Sequence, residues 1–597
     1  MAEHHGALEQ MLKTMLHESF YTSGTYSNPD LGVQVGWVSH RGGFADGMPV
    51  WNERKDVCII FSGELYPDPA ELDDLRGKGH VFSPDHADYL VHLYEEHGLD
   101  FLLRLNGWFS GVLVDLRQRK AVLFNDRFGL RRVHYHETPE AVYFASEAKA
   151  LLKVFPATRQ LDLAGAAEFL TCSTTLQNRT LYVGIWSLPG ASRWTFAPGE
   201  AIRKERYFSQ ETWEQQERLP FAEYYDRLKA AFRRVLPRYF KGQGTIGFSL
   251  TGGVDTRLIL ALGPQVPGKL RCFTYCGPYR HNTDVKLAQK VAQICGQPHE
   301  IFQLNGDFVS QFPALAEQAI YLSDGVLDVT GASDLYMNRL ARQVGAIRLT
   351  GNYGGEILRS IVAFKPVKLL PDIFAPEFGP RLGLAADTYW NERKPTHPVS
   401  FVAFKQVPWH HYNRFSLEQS QLTHRSPYLD NEIVSLIYRA PRDLPNDNRV
   451  SLQLIADGNP ALAGFGTDRG IRYHPIPVWS ELVKGYHYVT FKGDYAYDYG
   501  MPQWLCRLDH AFAPLHLERM FLGRHKIVHF RVWYRDSLAG YLKEVLLDRR
   551  SLGRPYVSGP AVEKIVRAHT SGTGNYTLEI HRLLTLELLQ RKLIEAA

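Results

Sequence analysis

Ile246, Phe248 and Leu250 alternate with small residues, and Leu258, Ile259, Leu260 and Leu262 follow within a few positions. The first run predicts a buried strand and the second the start of a buried helix, so GFSLTGGVDTRLIL, 247–260, reads as strand, turn and helix. An apolar strand (LRCFTYCG), a helix (DVKLAQKVAQICG) and another strand (HEIFQL) come next. Alternating β and α elements predict a parallel sheet. The pattern differs upstream. From about Val33 to Ala145 the runs DVCIIFSGELY, GWFSGVLVD, AVLFNDRFG and AVYFAS are strand-like, with one helix in HADYLVHLYEEHG that ends at Gly98. Strands with few intervening helices predict a mostly antiparallel α+β domain. A Pro-Gly turn in SLPGASRWTFAPGE closes this region, and the polar stretch SQETWEQQERLP reads as a linker. The helix expected over 221–236 places Tyr225, Leu228, Phe232 and Val235 on one face. Residues from about 400 to the end read as mainly helical, and no internal repeat is visible.

Composition adds little to this picture but closes some doors. A chain of 597 residues is too long for one core, so two or more domains are expected. Hydrophobic residues make up 45% and charged residues 22%, and a net charge of +5 over this length does not mark a nucleic-acid binder. Six cysteines without regular pairing suit a reduced, cytoplasmic setting. Cys272 and Cys276 read as core thiols, because no second pair follows at zinc-site spacing. No run approaches the ~20 apolar residues that span a bilayer, so no membrane partner is expected. The opening MAEHHGALEQMLKTML is an amphipathic helix without a signal-peptide core. The histidine pairs at 4–5 and 410–411 read as solvated or locally packed. RHKIVHFRVWYR, 524–535, reads as the packing face of a helix rather than a nucleic-acid site.

The turn at 251–256 carries chemistry. Gly252 and Gly253 lack Cβ atoms, so backbone N–H groups can approach a bulky anion. The following helix N-terminus favours phosphate, and Ser249, Thr251 and Thr256 offer hydroxyl donors. Asp255 would repel a bare phosphate, which implies a bridging cation, Mg²⁺. The loop is not a GxxxxGK phosphate loop. These six residues alone fit a tight strand-to-helix turn equally well.

SLTGGVDTR resembles the pyrophosphate loop of ATP pyrophosphatases that make acyl adenylates. FSGELYPDPAEL, DYLVHLYEEHGLDFLLRLNGWFSGVLVD, NDRFGLRRVHYH and VYFASEAKALL resemble, in order and spacing, the N-terminal domain of asparagine synthetases, and THRSPYLDNEIV resembles their RxPFLD segment. β-Lactam synthetase, lasso-peptide cyclases and polysaccharide-cluster homologues share this family. The resemblance implies two domains: an Ntn-hydrolase-like domain of antiparallel β layers with helices over 1–207, and an adenine-nucleotide α-hydrolase-like parallel-sheet domain with a helical extension over 208–597. It implies ATP and Mg²⁺, with Ser249, Thr251, Gly252, Gly253, Val254, Asp255, Thr256, Thr274, Tyr275 and Gly351 binding ATP and its pyrophosphate. Asp255 and Glu356 are the implied metal ligands. Small carboxylate and amine substrates are implied as partners, and a homodimer is left open.

The chain departs from the family in both halves. The family's glutaminase uses an N-terminal cysteine on a first strand; here Ala2 opens a helix and no cysteine precedes Cys58. Alanine cannot act as that nucleophile. The oxyanion-stabilising Asn-Gly-Glu appears as Ser62-Gly63-Glu64, and Asp85 or His86 stands near the amine-binding aspartate. In the second half, TGNYGGEIL stands where the family has SGEGSDELF, so Asn352 replaces a glutamate and Gly355 a metal-binding aspartate. Arg469 falls near the lysine that stabilises the transition state in relatives, keeping charge without the point-charge geometry. Asn352, Glu356 and Arg469 are therefore the catalytic candidates; a helix-cap role for Glu356 and a surface role for Arg469 remain open. The expected reaction is ATP-dependent amide formation through an acyl adenylate, releasing AMP and pyrophosphate, with an amine-bearing substrate as nucleophile. The alternatives are amidation of a uronic acid or other carboxylate by free ammonia, and a non-catalytic nucleotide-binding homologue.

Overall fold

The fold comes from a computed structural model, which describes residues 2–597 apart from 243, 265, 474–477, 513–514, 516–517, 519–521 and 596–597. The side chains of the 4–5 histidine pair lie outside the described residues.

Helix α1 (Ala2–Met15) leads into the hairpin of β1 (Tyr21–Asn28) and β2 (Val33–His40). A six-stranded antiparallel sheet follows, with β3 (Val50–Trp51), β4 (Val57–Leu65), β5 (Gly107–Asp115), β6 (Lys120–Asn125), β10 (Ser192–Phe196) and β11 (Arg203–Arg206) in the order β11-β10-β6-β5-β4-β3. Its central pair runs in register from Val57 opposite Asp115 to Leu65 opposite Gly107. A three-stranded sheet, β8-β7-β9, is built from β7 (His134–Glu137), β8 (Val142–Ala145) and β9 (Trp186–Ser187). Val57, Ile59, Leu90, Phe101, Leu113 and Phe124 are fully buried where the large sheet meets the helix Tyr89–His97.

The second half holds five parallel strands: β12 (Ile246–Ser249), β13 (Arg271–Cys276), β14 (His299–Gln303), β15 (Ile347–Thr350) and β16 (Thr423–Arg425). Their order is β14-β13-β12-β15-β16. The helix Phe221–Tyr239 buries Tyr225, Leu228, Phe232 and Val235 together, as its periodicity requires. From about 400 onward the chain is mostly helical. Among the described residues no helix is long and apolar enough to cross a membrane.

Two expectations change. The polar stretch after 208 is docked rather than loose: it contains the helix Glu211–Glu214, and Trp213 packs between Phe208 and Phe404, with ring centroids 4.7 and 5.9 Å away. One buried aromatic outweighs the polarity of its neighbours. The basic stretch 524–535 is not one helical face. Only Phe530–Arg535 is helical, and His525, Lys526, Ile527 and Val528 line a cleft in the parallel-sheet half.

One segment, 425–431, ties the halves together. Buried Arg425 pairs with Glu64 of β4 (Nε to Oε2, 2.8 Å) and donates to the carbonyl oxygens of Tyr239 and Lys241. Asp430 accepts from Asn106 Nδ2 at 2.6 Å, and Asn106 Oδ1 accepts from the Asn431 amide at 2.9 Å. Breaking a buried pair from one side leaves the other charge without compensation, at a cost of about 3–5 kcal/mol. Arg425→Leu is expected to destabilise the protein on that scale, read as a lower denaturation midpoint. Glu64→Gln should cost less, because Arg425 keeps its two carbonyl partners.

Candidate functional site

Strand order reverses at β12, which has β13 on one side and β15 on the other. In an open parallel sheet this is where a crevice forms beyond the strands' C-terminal ends. A cleft of about 380 Å³ lies there. Ser249, Thr251, Gly253, Asp255, Thr256, Thr274, Tyr275, Gly351 and Asn352 all line it. Gly252 and Val254 sit just behind: the Gly252 amide donates to Asp284 Oδ1 at 3.0 Å, and Val254 begins the helix Val254–Leu262. Glu356 and Arg469 are not among the lining residues. Glu356 pairs with His411 at 3.3 Å, while Arg469 stacks on Phe491, 3.6 Å from the ring centre, and pairs with Asp468 at 3.3 Å.

Gly253 is the N-cap of that helix, with an extended backbone and no side-chain cap. The first amides of the helix are thus left to an external acceptor, and they face the cleft together with the helix dipole. Thr251 Oγ1 accepts from the Gly253 amide at 3.3 Å and lies 3.2 Å from Thr256 Oγ1, which fixes the turn. The loop after β15 presses on it from the other side. A Cβ at Gly351 would lie 2.8 Å from the Thr256 nitrogen, and one at Gly354 would lie 2.5 Å from the Asp255 carboxyl carbon. Glycine at both positions is what lets the two backbones meet.

The charges of the cleft are organised in pairs. Arg359 grips Asp255 with both nitrogens, at 3.0 and 2.8 Å. Burial pushes the Asp255 carboxyl up, and Arg359 offsets part of that shift. Arg348 donates to Glu418 Oε1 at 3.0 Å and to Ser249 Oγ at 3.2 Å. Burial alone would raise the Glu418 carboxyl, but His424 and Arg348 hold it at about 2. Lys526 pairs with buried Asp498 under the rings of Tyr495 and Tyr499. Asp284 is different: burial, and then the Asp468 carboxylate, push it up to about 6.

Arg359, Asp284, Arg348 and Lys526 did not emerge from the sequence. Arg359 stands one residue past the TGNYGGEIL motif, and Asp284 is an acidic first-turn residue of the helix Thr283–Ile294. Both carried a readable local signal. Lys526 reaches the cleft from the distant helical extension; its basic stretch was visible in the sequence, but its place in the cleft was not.

A family model for the glutamine amidotransferase domain matches residues 3–208, and one for asparagine synthase matches 227–397. Asparagine synthetase [glutamine-hydrolyzing] 1 of Bacillus subtilis is 20% identical over 382 residues, 62% of this chain and 59% of that protein. Asparagine synthetase [glutamine-hydrolyzing] 2 of Arabidopsis thaliana is 24% identical over 332 residues, 53% of this chain and 51% of that protein. The chain thus spans little more than half the length of these curated relatives. The antiparallel half has the Ntn-hydrolase-like arrangement and the parallel half that of adenine-nucleotide α-hydrolases.

Asp284 yields a pH test. Its folded-state pKa lies above the ordinary value of 3.8, so the folded state holds the proton more tightly. Its ionisation therefore costs stability progressively as pH rises from about 4 through about 6. Asp284→Asn is expected to unfold at a higher temperature than the parent at pH 7.5 in metal-free buffer, with the gap closing below pH 4. A constant gap across that range would contradict the assignment.

Proposed function

From the premise that the chain belongs to the asparagine-synthetase-like family, we propose that it forms an amide bond by activating a carboxylate as an acyl adenylate, with ATP consumed to AMP and pyrophosphate. One observation carries this reading: nine of the sequence-named residues converge on one cleft at the reversal point of the parallel sheet, beside an uncapped helix N-terminus. In this reading residues 208–597 form the synthetase domain and residues 1–207 a glutaminase-like domain. The amides of 253–256 and the hydroxyls of Thr251 and Thr256 hold the departing pyrophosphate, while the Thr274–Tyr275 backbone meets adenine. Gly351 and Asn352 bound the opposite wall.

In this reading Mg²⁺ would be held by Asp284 together with the phosphates. Asp284 lines the cleft, and a carboxyl raised to about 6 by burial and by Asp468 is one that a divalent cation would relieve. Asp255, which also lines the cleft, would have to release Arg359 to join it. When bound, the ion would neutralise charge on the phosphates. Glu356 acts on Asp255 through its charge. Lys526 and Arg348 stand on the cleft wall where phosphate charge would fall, and Arg469, outside the lining, acts on Asp284 through its charge. The grip of Arg359 on Asp255 favours a second reading, a non-catalytic nucleotide binder, because it occupies the carboxylate that a metal would use. ATP–pyrophosphate exchange with candidate carboxylates separates the two. Asp255→Asn should weaken Mg-ATP binding at least tenfold by calorimetry; unchanged binding would sink the assignment.

The nucleophile in this proposal is an amine carried on a substrate. Cys58 lies inside β4 with its thiol pushed up to about 12 by burial, and all six cysteines are buried, so none stands as a thiolate. Asn352 and Gly355 remove negative charge near the cleft, which suits a different acceptor from aspartate. Ammonium offers no apolar area to bury, whereas a larger amine is held and aligned by binding energy. The chain should release no glutamate from glutamine and no AMP from ATP, aspartate and ammonium, while a larger amine-bearing carboxylate supports AMP release. Robust asparagine formation would overturn this part.

A further inference from the structure

The N-terminal half contains a second cavity, larger than the nucleotide cleft and unrelated to it. Its volume is about 560 Å³ and its lining is mainly apolar. Leu8, Met11, Leu12 and Met15 of α1 form the roof. Ile60, Phe61, Val112, Ala121 and Leu123, from the central strands of the six-stranded sheet, form the floor. The two long sides are continuous backbone: residues 31–38, most of β2, on one and residues 140–146, all of β8, on the other.

Both side walls are sheet edges. In the strand ladders of the described residues β2 pairs with β1 alone and β8 with β7 alone, so each turns one backbone edge away from its partner, whatever contact the Tyr143 side chain makes. Such edges carry a row of amide and carbonyl groups that ordinarily take another strand. Between them lies a space with apolar side chains above and below, and Gln34 Oε1 on its wall is buried without a hydrogen-bond partner among the described residues. The strand count points the same way. The hairpin β1-β2 and the sheet β8-β7-β9 together hold five strands against the six of the opposing layer, and one further strand between β2 and β8 would make a continuous sheet of six.

We propose that this slot is a docking site for an extended apolar peptide segment of a partner polypeptide, which adds as a strand between β2 and β8. The ligand chemistry follows from the walls. Main-chain groups on both sides supply the affinity, as in strand addition generally, and the roof and floor select side chains. Both faces of the strand are covered, so it must be apolar on both, without the alternation of a half-exposed strand. The walls bound its paired length: six residues of β2, 33–38, and the four of β8, 142–145, line the slot. A lipid chain would satisfy the apolar faces but leave both edges unpaired.

The test uses the full chain and a set of capped octapeptides built from valine, isoleucine, alanine, glycine and phenylalanine. Hydrogen exchange is followed at 33–38 and 142–145. At least one peptide is expected to bind and to slow exchange along both edges tenfold or more. The same peptide N-methylated at alternate residues keeps the apolar surface but loses ladder donors, and should bind at least tenfold more weakly. Failure of the whole set to bind, protection of neither or only one edge, or equal binding of the N-methylated peptide would overturn the proposal. So would palmitate displacing the peptide while giving the same protection.

Discussion

The buried Arg425–Glu64 pair and the segment that follows it hold three things in place at once. Arg425 closes onto β4 of the antiparallel half and onto the end of the helix Phe221–Tyr239. Three residues later, Tyr428 donates to the Asp255 carbonyl at 2.7 Å, and Ser426 donates to that of Asn352 at 2.6 Å. The same seven residues thus join the halves and fix the two loops that make the cleft. An ion pair in this setting gives up much of its Coulombic gain to desolvation, so its value is mainly specificity: few other arrangements satisfy a buried guanidinium and a carboxylate together. In this chain THRSPYLDNEIV therefore has a mechanical role: it joins the halves and fixes the loops of the cleft.

With its walls fixed, the cleft's electrostatics follow from which charges have partners. Asp255, Glu418 and Asp498 each face a cation, and their charges are largely spent within the protein. Asp284 is the exception, pressed by burial and by Asp468. An anionic ligand entering this space meets helix amides and hydroxyls first, with Arg348 and Lys526 behind them. A cation entering it finds Asp284. This division suits a metal–phosphate complex better than either partner alone, because each relieves the repulsion that the other would suffer.

How much of this was legible depended on distance along the chain. The 247–260 unit declared itself because hydrophobic period, glycine placement and a helix start fall within fourteen residues, and local signals of different kinds agreed. The antiparallel half was equally legible as alternating runs. What escaped was set by tertiary packing. The 208–219 stretch looks like a linker by polarity, yet Trp213 anchors it. Residues 524–535 look like one amphipathic helix, but residues 525–528 depart from helical structure to line a cleft whose phosphate-loop side lies far upstream in the chain. Arg359 was one position beyond a motif read as a unit. No local pattern reveals that Glu356, four residues from Ser360 and well matched to its motif, turns to His411 instead of the cleft.

The slot and the clamp are connected through a single strand. Ser62 of β4 lines both the apolar slot and a smaller chamber of about 120 Å³ between the halves, and Gly63 and Glu64 line that chamber beside Leu422, Thr423 and His424. Arg131 donates to Ser62 Oγ at 3.0 Å across it, and burial, with Arg342 and Arg131 nearby, lowers His40 to about 3, which keeps that ring neutral. A strand seated on Ile60, Phe61 and Ser62 would lie two residues from the carboxylate that closes onto Arg425. β4 is paired along its whole length with β5, so displacement at one end is resisted and transmitted rather than absorbed. The antiparallel half is thus tied to the parallel half through one strand: β4, which floors the apolar cavity, also carries Glu64 to Arg425, whose segment fixes the loops of the cleft.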